Sequence, residues 1–188
     1  ELLPYMAIVL NIDHDHLEFF KTFENVQNTF KKFTTLATGG IIINGDDENT
    51  TSVIKDMQVP ITTFGLEEGN DYRGVNIRKE HQSFYSYDVE HKGEILTTVH
   101  LSIPGKHNIY NSLAAFAACH MSGVEANEIA KGINAFGGAG RRFEILGTVN
   151  GVTIADDYAH HPEEITATLN AANDMGFKRV WAVFQPFT

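Results

Sequence analysis

Residues 140–162 read GRRFEILGTVNGVTIADDYAHHP and hold two arginines, two aspartates and two histidines within one short span. Guanidinium groups beside carboxylates and imidazoles suit phosphate and metal chemistry. An ion-paired hairpin end uses the same residue types, and spacing alone leaves both readings open. Segments 143–149 and 152–158 are rich in β-branched and aromatic residues. They are joined by Asn150-Gly151, the pair a type I′ turn favours because both central residues need positive φ. A hairpin brings its ends together, which predicts Arg141 and Arg142 close to Asp156 and Asp157.

Two further clusters carry candidate chemistry. The run MAIVLNIDHDH (6–16) passes from apolar to polar, as a strand buried on both faces does where it leaves a sheet. Ligands of open α/β sheets gather at strand carboxyl ends, and Asn11, Asp13, His14, Asp15 and His16 occupy such an end. The same residues also suit a helix-capping loop with Asp15 as N-cap. Gly105, Lys106, His107, Asn108 and Asn111 cluster at the start of a helix that follows Pro104. Amides at a helix N-terminus are unpaired and partly positive. Asn108 reads as an N-cap. Asn111, one turn inside, gains little for the helix and offers an amide that pairs in two directions with an adenine edge. A metallohydrolase built on His14, His16, Asp157, His160 and His161 is a competing reading, weakened by the lack of a matched third ligand set.

The elements that must position these residues alternate at first between strand and helix. Strands are expected over 6–13, 41–44 and 61–64. Between them lie a long helix, with Phe19, Phe23, Val26, Phe30 and Phe33 as one core-facing stripe, and a short helix over 52–57. That alternation predicts a largely parallel sheet flanked by helices. Segments 75–77, 84–89 and 95–103, with a turn at Lys92-Gly93, predict an antiparallel meander attached to it. Helices follow over 105–123 and 126–135, then the candidate hinge Gly137-Gly138-Ala139-Gly140. Beyond the hairpin a helix opens at His161 or Pro162 with Glu163 and Glu164 in its first turn, where the dipole favours acids. Residues 180–184, VWAVF, read as a buried strand. The expected class is α/β, with residues 1–140 as one unit and 141–188 starting a second.

With 43% hydrophobic residues among 188, a proper core is expected. The formal charge of −10 argues against a nucleic-acid or anionic-membrane surface, although a few local donors can still hold a nucleotide phosphate. No apolar run approaches the roughly 20 residues of a membrane span, so no membrane insertion is expected. The single cysteine, Cys119, cannot form an internal disulfide and reads as a buried structural thiol in a reducing, cytoplasmic protein. The chain begins without methionine and stops just past an apolar run, as a piece of a longer protein would.

Taken in order, NIDHDHLEFF (11–20), GKHNIYN (105–111), GRRFEILG (140–147), DDYAHHPEEI (156–165) and VFQP (183–186) resemble the motifs of the Mur ligases. Within that family the likeness is greatest to the branch that joins L-alanine to UDP-N-acetylmuramate. The resemblance implies a three-domain enzyme using ATP and Mg²⁺ and working through an acyl phosphate. This chain would supply the later part of a central P-loop-type ATPase domain and the opening of a Rossmann-like C-terminal domain. The phosphate loop G-x-x-x-x-G-K-[ST] is not within it. The resemblance further implies His16 as a Mg²⁺ ligand and His107, Asn108 and Asn111 as the adenine site. It implies Arg142 at the ATP phosphates, Asp157 at the ribose and hinge, and His160 and His161 on the amino-acid side. Phe187 stands where the family usually has histidine. The murein tripeptide ligases of the same family are the alternative, against which Tyr158 and the Asn-Ile-Asp opening weigh. The 188 residues alone are expected to be inactive.

Overall fold

β2 (Gly40–Asn44) explains why the sheet has two covered faces. Ile41 and Ile43 pack to one side with Ala7, Val9, Val26 and Val53, whereas Ile42 packs to the other with Phe64, Ile109, Leu113 and Phe116. A strand of consecutive β-branched residues has nowhere to expose them, so helices must lie on both sides. The computed structural model describes residues 3–54, 57–80 and 84–186. Four strands run parallel in chain order: β1 (Met6–Val9), β2, β3 (Ile61–Gly65) and β4 (Tyr72–Lys79). The sheet then turns antiparallel through β5 (Tyr85–His91) and β6 (Glu94–His100), with Lys92 and Gly93 at positive φ in the connecting turn. The short helices α1 (Leu17–Phe20) and α3 (Glu48–Val53) and the longer α2 (Phe23–Thr34) belong to one side. On the other side lie α4 (His107–Met121) and α5 (Ala126–Ala135). Among the described residues no helix is long and apolar enough to cross a membrane.

A second sheet consists of β7 (Glu144–Val149) and β8 (Val152–Asp156), followed by α6 (Pro162–Asp174). Asn150 and Gly151 take φ of 51° and 79°, the two positive values the sequence requires at this turn. Lys79 of β4 pairs with Asp174 of α6 at 2.8 Å and ties this last helix back to the meander.

Several expectations are corrected. The phenylalanine stripe does not lie on one helix: the chain breaks at Lys21 (φ 69°), and Thr22 caps α2 by accepting the Asn25 amide. The break shifts the helical phase, leaving Phe19 76% exposed while Phe20, Phe23 and Phe30 pack inward. Asp15 is not an N-cap; His16 holds that position of α1, in a left-handed conformation. The short helix starts earlier than expected, at Glu48, because Asp47 caps it through the Thr50 amide. Cys119 is exposed rather than buried, since α4 turns Leu113, Phe116 and Ala117 to the core and Cys119 away from it. Residues 180–184 form no strand, and Trp181 and Val183 are 80% and 100% exposed. A strand is held by neighbours that exchange backbone hydrogen bonds, and none of the described strands lies alongside it. Phe187 lies outside the described residues, as do positions 55 and 56 of the helix expected over 52–57.

The link from β3 to β4 is only residues 66–71, too short for a helical crossover, and the two strands share just the pairs Phe64–Tyr72 and Gly65–Arg73. Its amides need another partner, and Asp46 provides it. The Asp46 carboxylate accepts from the amides of Leu66 (2.6 Å) and Glu67 (3.3 Å), the Asn70 side chain (2.7 Å) and the Tyr110 hydroxyl (3.1 Å). Reduced hydration, with the Asp46 charge adding to it, pushes the Tyr110 phenol up to about 12. A Cβ at Gly65 would come within 2.3 Å of Asp46 Oδ1 and 2.5 Å of Asn70 Nδ2. Gly65→Ala is therefore expected to cost about 1–3 kcal/mol by overpacking a polar knot, measured as a shift of the urea midpoint at unchanged slope.

The meander has its own polar anchor. Asp88 accepts from Arg78 (2.8 Å), Asn76 (2.9 Å) and Thr98 (2.7 Å). These hydrogen bonds, Arg78 first, hold its carboxyl far below the usual carboxylate range. A carboxyl with a depressed folded pKa stabilises above its unfolded pKa of about 3.9, and that contribution is lost as pH falls below it. Asp88→Asn is expected to lower stability at pH 7 by about 1–2 kcal/mol. It should also flatten the acid limb of a stability–pH curve, and an unchanged limb would refute the assignment.

Candidate active site

The carboxyl end of β1 and the start of α6 face one another across a cavity of about 500 Å³. Asn11, Asp13, Asp15 and His16 line it from one side, His161, Glu163 and Glu164 from the other, and Phe20, Phe30 and Phe33 form its apolar wall. His161 Nδ1 lies 3.9 Å from Asp13 Oδ2, and its Nε2 lies 3.4 Å from the His14 carbonyl oxygen. The His14 amide donates to the Asp13 carboxylate and, as the largest cause, lowers its pKa.

His16 has φ 54° and ψ 33°, a left-handed conformation that costs a non-glycine residue about 1–2 kcal/mol. Such outliers persist where the surroundings over-determine them, often at functional sites. Its Nδ1 is 3.3 Å from Glu18 and its Nε2 is 3.6 Å from Asp15. His14 is accounted for otherwise, stacked on Phe23 at 3.9 Å between ring centroids. Among the described residues no three His, Cys, Asp or Glu side chains are grouped to hold a metal. The five-residue metallohydrolase set is thus not assembled.

At the open end of the hairpin the two arginines part company. Arg141 Nε pairs with Asp156 at 3.3 Å, and its guanidinium lies 4.9 Å from the Tyr158 ring centre. Arg142 adjoins Asp157, as expected, since the next amide donates to that carboxylate, but its guanidinium reaches Glu164 on α6 at 3.4 Å. The Asp157 oxygens are already taken by the amides of Phe143 (2.8 Å) and Ala159 (2.7 Å), where strand pairing ends and backbone donors need partners. His160 Nδ1 lies 3.2 Å from the Tyr158 carbonyl oxygen, and its ring meets the Tyr158 ring edge-on.

The start of α4 completes the picture. Lys106, not Asn108, is its N-cap. Asn108 donates through its side chain to the Pro104 carbonyl at 2.8 Å and accepts from the Asn111 amide group at 3.0 Å. His107 is partly open to solvent, yet the protein around it strips enough water to hold its pKa below the ordinary value, with the negative charge of Asp157 working the other way. The residues that lead into α4 lie beside the hairpin end. A smaller cavity of about 260 Å³ lies between that segment and the start of the hairpin, lined by Ile103, Pro104, Gly138, Gly140, Arg142 and Phe143. Arg142 therefore lines this cavity and meets the larger one through Glu164. Of the residues expected at the site, His107, Asn108, Asn111, Asp157 and His160 line neither cavity, whereas His16 and His161 line the larger one. Sequence reasoning missed the part played by Glu164, which it read only as a favourable charge in the first turn. An acid at the third helical position was the available signal.

A mainly parallel sheet covered on both faces, with its polar cleft at the strand carboxyl ends, defines an α/β ligand-binding class. Within that class the chain belongs to the Mur ligase family: residues 1–119 match the Mur ligase middle domain and residues 141–188 match the Mur ligase glutamate ligase domain. Among its relatives is a UDP-N-acetylmuramate–L-alanine ligase of Caldanaerobacter subterraneus subsp. tengcongensis, 43% identical over 98% of this chain and 41% of that protein. Solved structures with the same fold include the UDP-N-acetylmuramate–alanine ligase MurC of Thermotoga maritima (TM-score 0.77, 26% identity, 92% of this chain and 38% of that one). Another is a murein peptide ligase of Psychrobacter arcticus (TM-score 0.71, 29% identity, 100% of this chain and 38% of that one). The chain thus spans about two-fifths of the length of these relatives.

Proposed function

We propose that the full-length protein is a cytoplasmic, ATP-dependent ligase that joins L-alanine to the carboxylate of UDP-N-acetylmuramate in peptidoglycan synthesis. The observation that carries this reading is the cavity of about 500 Å³ with His16 and two aspartates on one wall and His161 and two glutamates on the other. Residues 1–140 contribute to the central ATP-binding domain, and 141–188 open the C-terminal domain.

In this reading His107, Asn108 and Asn111 take the adenine, Asp157 the ribose and Arg142 the phosphates. The muramyl carboxylate attacks the γ-phosphorus, giving an acyl phosphate and ADP. The alanine amine then attacks the acyl carbon, and inorganic phosphate leaves. Phosphoryl transfer needs positioning and charge neutralisation more than covalent help, which suits an arginine at the junction of two cavities. His160 and His161 stand on the amine side. The acyl phosphate must be kept from water, a reason to place the reaction between two units joined by the glycine-rich stretch 137–140. For Mg²⁺ the fit is that of an ion held mainly by phosphate and water: one imidazole, His16, with the Asp15 carboxylate beside it. Bound there, the ion would offset phosphate charge.

The test is an assay of the full-length protein with UDP-N-acetylmuramate, L-alanine and ATP. Amide formation matched by phosphate release supports the reading, as does the absence of turnover by residues 1–188 alone. The likeness to a murein peptide ligase motivates a second substrate, L-alanyl-γ-glutamyl-diaminopimelate. A preference for that tripeptide over alanine would move the protein to the recycling branch.

A further inference from the structure

Four polar groups converge on one side chain that the proposed reaction leaves without a role. The Glu164 carboxylate faces the Arg142 guanidinium at 3.4 Å, the His160 amide at 3.3 Å, the His161 amide at 3.4 Å and His160 Nδ1 at 3.6 Å. The His161 amide is that of the α6 N-cap, which an acid at the third helical position usually satisfies, and the His160 amide lies one residue before it. The arginine is not part of that arrangement. It comes from the segment before β7, 22 residues away in sequence.

One carboxylate of α6 thus joins the segment that carries Arg142 to the two histidines that lead into the helix. His161 carries the connection on to Asp13 at the end of β1. Glu164 engages a single guanidinium nitrogen, and among the described residues the others have no partner. A planar fork fixed at one corner keeps its remaining donors for an anion, so the contact orients the arginine without consuming it. The alternative orienting acid, Asp157, is occupied by backbone amides.

We propose that Glu164 is a positioning residue that holds the Arg142 guanidinium and the first turn of α6 as one unit, so that the phosphate-facing arginine and the amine-facing histidines move and align together. The functional half of this proposal rests on the ligase reading above; the coupling itself does not.

The test uses the full-length protein and the variants Glu164→Gln, Arg142→Ala and their combination. Glutamine keeps an oxygen for the α6 amides and removes the charge that faces Arg142, so the helix cap survives and the melting temperature should move by less than about 2 °C. With ATP varied, Glu164→Gln is expected to lower kcat/KM about tenfold in the wild-type background. In the Arg142→Ala background it should have no further effect, because Glu164 acts through that side chain. Equal losses in both backgrounds, or no loss in either, would overturn the proposal.

A second readout does not depend on turnover. With histidines isotopically labelled, Arg142→Ala should shift the His160 and His161 imidazole resonances when Glu164 is present and leave them in place in Glu164→Gln. Shifts of the same size in both would overturn the coupling. If the wild-type protein forms no amide at all, the ligase reading falls, and the resonance comparison still decides whether Glu164 links the two segments.

Discussion

Arg142→Ala in the full-length protein is expected to lower kcat/KM for ATP by about 10²- to 10³-fold, the scale of removing one preorganised donor from a developing anion. Arg142 is the side chain that lines the smaller cavity and, through Glu164, meets the larger one. Phosphoryl transfer spreads charge over oxygens that no nucleophilic residue can relieve, so losing a guanidinium there is felt mainly in the transition state. Arg142→Lys should recover only part of the loss, because an ammonium cannot face Glu164 and a phosphate with a fixed planar fork. The melting temperature should change little, since Arg142 is exposed and its ion pair is of the kind that contributes at most about 1 kcal/mol. Steady-state kinetics with ATP varied, beside a thermal melt of each variant, checks both halves. A loss under threefold would remove Arg142 from the reaction.

Phe116→Ala is expected to destabilise the 188-residue chain by about 3–5 kcal/mol. Phe116 is fully buried in the cluster between α4 and the sheet, 6.4 Å from the Tyr72 ring and 6.0 Å from the His120 ring. Truncation removes its apolar contacts and leaves a void that this face cannot easily close. Tyr72 is held in place by its hydroxyl, 2.8 Å from His120 Nδ1, and by stacking on His91. Polar groups fixed in this way cannot slide in to fill the space without breaking their own bonds. Urea unfolding reads the effect as a lower midpoint at constant slope. A cost below about 1 kcal/mol would mean that α4 is not anchored where the structure has it. The consequence reaches the candidate site, because the same helix carries His107, Asn108 and Asn111 on its first turns.

How far local chemistry could be read in advance is clear from particular residues. Asn150-Gly151 announces its turn because few other residues accept two positive φ values in succession. The three isoleucines of β2 announce a doubly covered strand because alternation is missing. α5 begins and ends where its periodicity does, at Ala126 and Ala135. The phenylalanine stripe misled because the break at Lys21 and Thr22 is written in backbone conformation, which spacing does not reveal. Residues 180–184 misled because an apolar run specifies a strand only where another strand is there to pair with it.

What the amino-acid order determined alone was the class of fold, the hairpin, the later helices α4 to α6 and the residue types available for phosphate and metal chemistry. These depend on covalent neighbours and on periodicities of two and of about 3.6 residues. Tertiary structure alone decided the partners: Arg142 with Glu164, His161 with Asp13, Asp46 with Tyr110, and His107 within the field of Asp157. Each pair joins segments well apart along the chain, and which carboxylate meets which cation depends on how sheet, hairpin and helix pack. Packing is a property of the whole chain, so no window of sequence contains it.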